Sequence, residues 1–154
     1  MNIFKLDESP VVSAKYACDK HVVKMILESA QMLCSVHPEG TAPYKRSFYN
    51  HPCTKWVRES ARNYEWLLLH AYALCDEYTN RYGKIHKTEK VIEWCDNNRP
   101  ELPYTIRTTK QPTCMPDYCK TESVVESYRK YYINEKAKFA KWKDGNIPFW
   151  FIVE

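Results

Sequence analysis

Between Ala17 and Gln31 the chain reads ACDKHVVKMILESAQ. At 100° per residue on a helix, Lys20, Lys24, Glu28 and Gln31 line one side, with Asp19 and His21 flanking it. These residue types suit work on an anionic substrate. Cations hold a phosphate, a carboxylate stabilises developing positive charge, and a histidine moves protons. The competing reading is a solvated helix face carrying one Lys24–Glu28 pair. Lys20 and Lys24 favour the chemical reading, because like charges four residues apart repel unless an anion or carboxylate joins them.

A second concentration lies at Tyr49–Pro52, which reads YNHP. His51 stands where a loop meets a helix start, and free N–H groups there favour anions. The alternative is an ordinary loop histidine. Between Thr41 and Asn63 the cations Lys45, Arg46, Lys55, Arg58 and Arg62 face only Glu59, interleaved with Tyr44, Phe48, Tyr49 and Trp56. Cations with aromatics suit phosphate and base contacts, which makes Lys45, Arg46, Tyr49, Asn50, Lys55, Trp56, Arg58 and Arg62 the candidate nucleic-acid surface. The plainer reading is a basic loop over the edge of the core.

Other chemistries fit less well. Cys18-x-x-His21 and Cys34-x-x-His37 look like zinc couples. On one continuous helix they stand ~24 Å apart and cannot share an ion. Cys114 and Cys119 lack a partner couple nearby, so neither a metal nor another cofactor is expected. Three scattered glycines exclude a Gly-rich phosphate loop. Five His and seven Cys permit nucleophile–base pairs on paper, and spacing selects none.

The elements that must position these residues are helical. Ser9 is a helix cap with Pro10 at the first helical position. From Val11 to Val36 no Gly or Pro interrupts, and Val12, Tyr16, Val23, Ile26, Leu27, Ala30 and Leu33 describe one buried face. A second long helix is expected over 54–82, with Trp56, Tyr64, Leu67, Leu68, Ala71, Leu74 and Cys75 inward and Gly83 as its stop. A short third helix covers about 88–97. Thr121 should cap a fourth, running to about Trp142, and the apolar tail IPFWFIV should dock on the core. The expectation is an all-α single domain over 1–154, with about four helices, two of them long, after an extended N-terminal segment. The 154 residues suffice for one core. No leader and no apolar run near ~18 residues is present, so the expected location is cytoplasmic, with reduced cysteines and no membrane partner.

The order of features resembles a known family. An extended start, a helix with D-K-H-x-x-K and a later N-H-P opening a second helix are similar to the pyrimidine-dimer DNA glycosylases, more closely their uncharacterised phage and bacterial branch. The resemblance covers about residues 1–85. It implies an all-α domain that cleaves the glycosidic bond of a damaged pyrimidine and then the backbone, through an imine on an amine. It also implies that the nucleophile is the α-amine at the chain start, with an Arg and a Glu nearby.

Carried over, Lys20 or His21 falls near the Arg-Glu position, Asp19 or Glu28 supplies the carboxylate, and His51 matches the histidine before the second helix. This chain departs by lacking the Arg-Glu pair and by placing Asn2 where a small residue is expected. Asn2 hinders removal of the initiator methionine, which leaves Met1's own amine, Lys20 or Lys24 as the imine former. The leading expectation is a DNA glycosylase/lyase acting in repair. The alternative is a non-catalytic nucleotide or nucleic-acid binding protein, phage-encoded and acting against a host system in the host cytoplasm. The oligomeric state is not legible.

Overall fold

Ser9 accepts a hydrogen bond from the Val12 N–H at 3.2 Å, and Pro10 opens α1 (Pro10–Tyr16), as the sequence predicts. The computed structural model describes residues 1–154. After α1 come α2 (Asp19–Ser35), α3 (Pro52–Glu59), α4 (Ala61–Tyr82), α5 (Glu89–Asn97) and α6 (Val124–Tyr131), with no strand. The architecture is all-α, but with six helices where about four were expected. Each of the two long expected helices is broken once.

The first break is at Ala17 and Cys18, both extended (ψ 134° and 160°). Breaking a helix strands backbone groups that must find other partners. Here distant side chains supply them. The Arg81 guanidinium donates to Ala17 O (2.8 Å) and Lys15 O (3.2 Å), and Trp142 Nε1 donates to Tyr16 O (2.9 Å). The Cys18 N–H donates to the Tyr132 hydroxyl (3.3 Å), and the Asp19 N–H to Lys141 O (2.7 Å). Arg81 is tolerated inside because Asp19 (3.0 Å) and Glu77 (2.9 Å) pair with it. The second break is at Ser60 (φ −153°, ψ 145°), whose Oγ accepts from the Arg62 N–H while the Ala61 N–H donates to Pro103 O. Gly83 closes α4 in the left-handed conformation, φ 70°, where glycine carries no steric cost.

The break re-phases α2 relative to α1. Ile26, Ala30 and Leu33 are buried as expected, with Val22, Met25 and Met32, but Val23 and Leu27 face solvent. Tyr64, Leu67, Leu68, Ala71, Leu74 and Cys75 of α4 are buried, and Trp56 lies in the same core. The expected fourth helix is also shorter. Ser123, not Thr121, caps α6 by accepting from the Glu126 N–H, and a wider π-turn (Tyr132–Lys136) follows it, with Tyr132 fully buried. The tail docks through Trp150 and Phe151, while Ile147, Phe149, Ile152 and Val153 stay exposed. No helix is long and apolar enough to cross a membrane.

Arg81→Ala leaves Asp19 and Glu77 without their cation and two carbonyls without donors. Loss of one partner from a buried ionic set costs about 3–5 kcal/mol. Urea unfolding should register a loss of that size. A loss below about 1 kcal/mol would show that the first break is held by other contacts.

Candidate active site

The extended start of the chain is drawn into the fold by partners far away in sequence. Asn2 Nδ2 donates to Cys114 O (2.9 Å), and Asn2 Oδ1 accepts from the Tyr128 hydroxyl (2.7 Å). Gln111 Nε2 donates to Ile3 O (2.7 Å), and Ser13 Oγ to Phe4 O (3.0 Å). The Phe4 ring stacks on His21 at 4.1 Å between centroids. Each bond contributes about 1 kcal/mol net, and together they leave the first residues little freedom.

This clamp places the Met1 amine 3.3 Å from Glu28 Oε1 on α2. The Met1 side chain is only 2% exposed, yet the residue as a whole is half-buried, so its solvent-facing part is the main chain that carries the amine. Glu28 is buried, its Oε1 accepts no hydrogen bond, and its Oε2 lies 3.7 Å from Lys24 Nζ. Lys24 Nζ reaches outward, and its side chain is 65% exposed. The Lys24–Glu28 pair read from the helix is therefore half of a larger set. A cationic amine, a buried carboxylate and an exposed lysine meet at one point.

His51 comes next. It caps α3, with Nδ1 accepting from the Cys53 N–H at 3.0 Å. That tautomer leaves the proton on Nε2. Burial, and then the positive charge of the chain-start amine, hold the His51 imidazole below its ordinary range, opposed by Glu28. The start of α3 packs against the chain start, with Cys53 Sγ 3.8 Å from Asn2 Oδ1 and the Thr54 hydroxyl 3.6 Å from Met1 Sδ. His51, Cys53 and Cys114 bring three ligand-type atoms within 4.8 Å of one another. The Nδ1 lone pair is already used by the cap. The Cys53 thiol lies 3.7 Å from Cys114 Sγ and holds the Cys114 thiol below its usual range, aided by Lys120 and the Met1 amine. The cysteines of the two sequence couples lie elsewhere. Cys18 meets the Tyr132 hydroxyl, and Cys34 lies 3.8 Å from Cys95.

The remaining candidates separate. His21 is buried, with Nδ1 2.6 Å from the Tyr132 hydroxyl, and burial lowers its pKa to about 3, with Lys136, Lys24 and Lys20 adding to the effect. It is a neutral packing residue beneath the lysines. Lys20 Nζ lies over Phe139 (4.8 Å) and Lys136 Nζ over Tyr131 (4.7 Å). Lys136 therefore joins Lys20 and Lys24 around His21, a residue that sequence reading missed because it lies more than a hundred positions from them. Asp19 is engaged by Arg81 and the Lys143 N–H (3.0 Å), nine residues before Glu28 on α2 and ~13 Å along its axis.

In the basic segment, Lys45, Asn50 and Lys55 are exposed. Arg46 (4.2 Å) and Arg58 (3.8 Å) both lie over the Tyr49 ring. Arg62 pairs with Glu65 (3.1 Å) and lies over Tyr104. Trp56 cannot reach a ligand. It is buried, with Nε1 donating to Thr109 O.

A family model for pyrimidine dimer DNA glycosylase matches residues 1–90, which include the amine, Glu28, Lys24 and His51. The chain belongs to the pyrimidine dimer DNA glycosylase family. No curated protein and no solved structure matches it. The match covers the extended start, α1–α4 and the beginning of α5. Lys136, Cys114 and Tyr128 come from outside it, so part of what surrounds the chain start and Glu28 is built by the C-terminal third of the chain. At family level this gives a DNA-processing protein of glycosylase type.

His21 (about 3) and His70 (about 4) are both held neutral by burial. Unfolded histidine titrates near 6.5, so the unfolded chain binds more protons between that value and 3–4. The stabilisation is complete above pH 6.5 and is lost as pH falls. Each histidine contributes a slope of about 1 kcal/mol per pH unit. Denaturant unfolding followed from pH 7 to 4.5 should show this fall, and His70→Phe should make it shallower. An unchanged slope in that variant would contradict the assignment.

Proposed function

We propose that this protein is a DNA glycosylase/lyase whose nucleophile is the Met1 amine. The observation that carries the reading is an amine held 3.3 Å from a buried carboxylate by a fold that buries the Met1 side chain. A freely moving chain start would have no reason to be fixed there.

The amine, in its neutral form, adds to C1′ of a deoxyribose as the C1′–N bond to the damaged base breaks. The base departs with that electron pair and takes up a proton. The nitrogen gives a proton to Glu28, which passes it to O4′ as the C1′–O4′ bond breaks, and the sugar ring opens to a cationic imine. Glu28 then faces that cation, which its buried charge stabilises more strongly than water would. Now ionised, it takes the C2′ proton, and elimination breaks the C3′–O bond with loss of phosphate. Lys20, Lys24 and Lys136 supply charge for the flanking phosphates, and the exposed Lys45, Lys55 and Asn50 extend the grip along DNA. His51, neutral and carrying its proton on Nε2, donates a hydrogen bond to the sugar or the departing base. The imine former expected at Lys20 or Lys24 is less favoured, since Lys24 Nζ lies farther from Glu28 (3.7 Å) than the amine does (3.3 Å) and Lys20 lies over Phe139 with no carboxylate partner.

Borohydride reduction during incubation with abasic-site duplex DNA should yield a covalent protein–DNA species. Glu28→Gln should slow strand cleavage by about a hundredfold or more, with DNA affinity changed only a few-fold. DNA binding with no trapped species would favour the non-catalytic binding reading. Full cleavage activity in Glu28→Gln would remove Glu28 from the mechanism.

A further inference from the structure

Phe48 is the one residue other than glycine with positive φ, at 48°. A bulky side chain is uncommon in that region, which Gly or Asn enters more readily. Its ring is 65% exposed and lies outside the core cluster. The backbone cost is therefore not repaid by burial. An outlier of this kind, held by its surroundings, points toward a functional role.

The surroundings do hold it. The Ser47 N–H donates to the buried Ser35 Oγ (3.0 Å), and Phe48 O accepts from the His51 N–H (3.0 Å). The next residue, Tyr49, has the Arg46 and Arg58 guanidiniums over its ring. An exposed aromatic thus stands on a fixed turn, among cations, three residues before the histidine beside the amine. Other exposed rings differ. Phe149, for example, has ordinary backbone and packs edge-on against Tyr16.

We propose that Phe48 is a stacking wedge. It enters the duplex beside the target nucleotide and fills the stack when that nucleotide leaves for the amine. The inference rests on the glycosylase/lyase reading for its place in the reaction, though not for its binding. An apolar ring inserted at a base step offsets part of the unstacking cost, and flanking cations hold the strained phosphates. Phe48 is then a positioning residue. It acts on the DNA conformation and not on the reacting atoms.

The test uses the full chain with duplex DNA carrying 2-aminopurine next to an abasic site, and compares wild type, Phe48→Ala and Phe48→Trp. Binding by wild type should change the 2-aminopurine fluorescence, Phe48→Ala should lose that change, and Phe48→Trp should restore it. Cleavage of duplex by Phe48→Ala should fall about ten- to a hundredfold, while cleavage of single-stranded abasic DNA stays unchanged. If wild type gives the Phe48-dependent fluorescence change but no cleavage, the wedge stands and the lyase reading fails. Identical fluorescence in wild type and Phe48→Ala, or equal loss of cleavage on both DNA forms, overturns the wedge. Absence of DNA binding by wild type overturns it as well.

Discussion

The contact on which the site depends is the ion pair between the Met1 amine and Glu28. It is also the contact that the fold is least free to give up. Glu28 is buried and its Oε1 has no hydrogen-bond donor, so removing the amine would leave a carboxylate with only Lys24, at the surface, to balance it. An unpaired buried charge is costly. The amine in turn cannot drift, because Asn2, Ile3 and Phe4 are bonded to Cys114, Tyr128, Gln111 and Ser13. The proposed reactivity and the stability of the fold are therefore joined at one point.

The two helix breaks follow from the same constraint. A straight helix over residues 11–36 would carry α2 along the axis of α1. The break at Ala17–Cys18 lets α2 take its own direction and its own inward face, which puts Glu28 under the chain start. The stranded carbonyls cost stability unless they find donors, and Arg81 from α4 with Trp142 and Tyr132 from the C-terminal part supply donor and acceptor groups. The break at Ser60 separates α3, whose first turn packs against the chain start, from the long α4 that builds the core. Strain at Phe48 lies in the loop that delivers His51.

Local signals in the sequence located what is local. Ser9, Pro10 and Gly83 mark helix ends by their own chemistry, and the Lys24–Glu28 spacing follows from helix periodicity. The family resemblance named the chain-start amine, Lys20 or Lys24 as imine former, Asp19 or Glu28 as carboxylate, and His51, and it left the choice among them open. What could not be read is what distant residues decide. Nothing near Ala17 announces a break, since its cause is Arg81 and the C-terminal segment. Val23 and Leu27 fit a single buried stripe only if the helix is unbroken. Trp56 and His21 have the right types for a site, yet their surroundings make them core residues, buried with one polar atom satisfied. Lys136 and Cys114 are near the site only because α6 and the loop before it pack there.

The most direct measurement is mass spectrometry of the borohydride-reduced adduct after proteolysis, to locate the atom that carries the sugar. The account predicts the mass addition on the peptide beginning at Met1, at its α-amine, with none on Lys20 or Lys24. An adduct confined to a lysine side chain would contradict it, and the Met1–Glu28 pair would then be a structural clamp beside a different nucleophile.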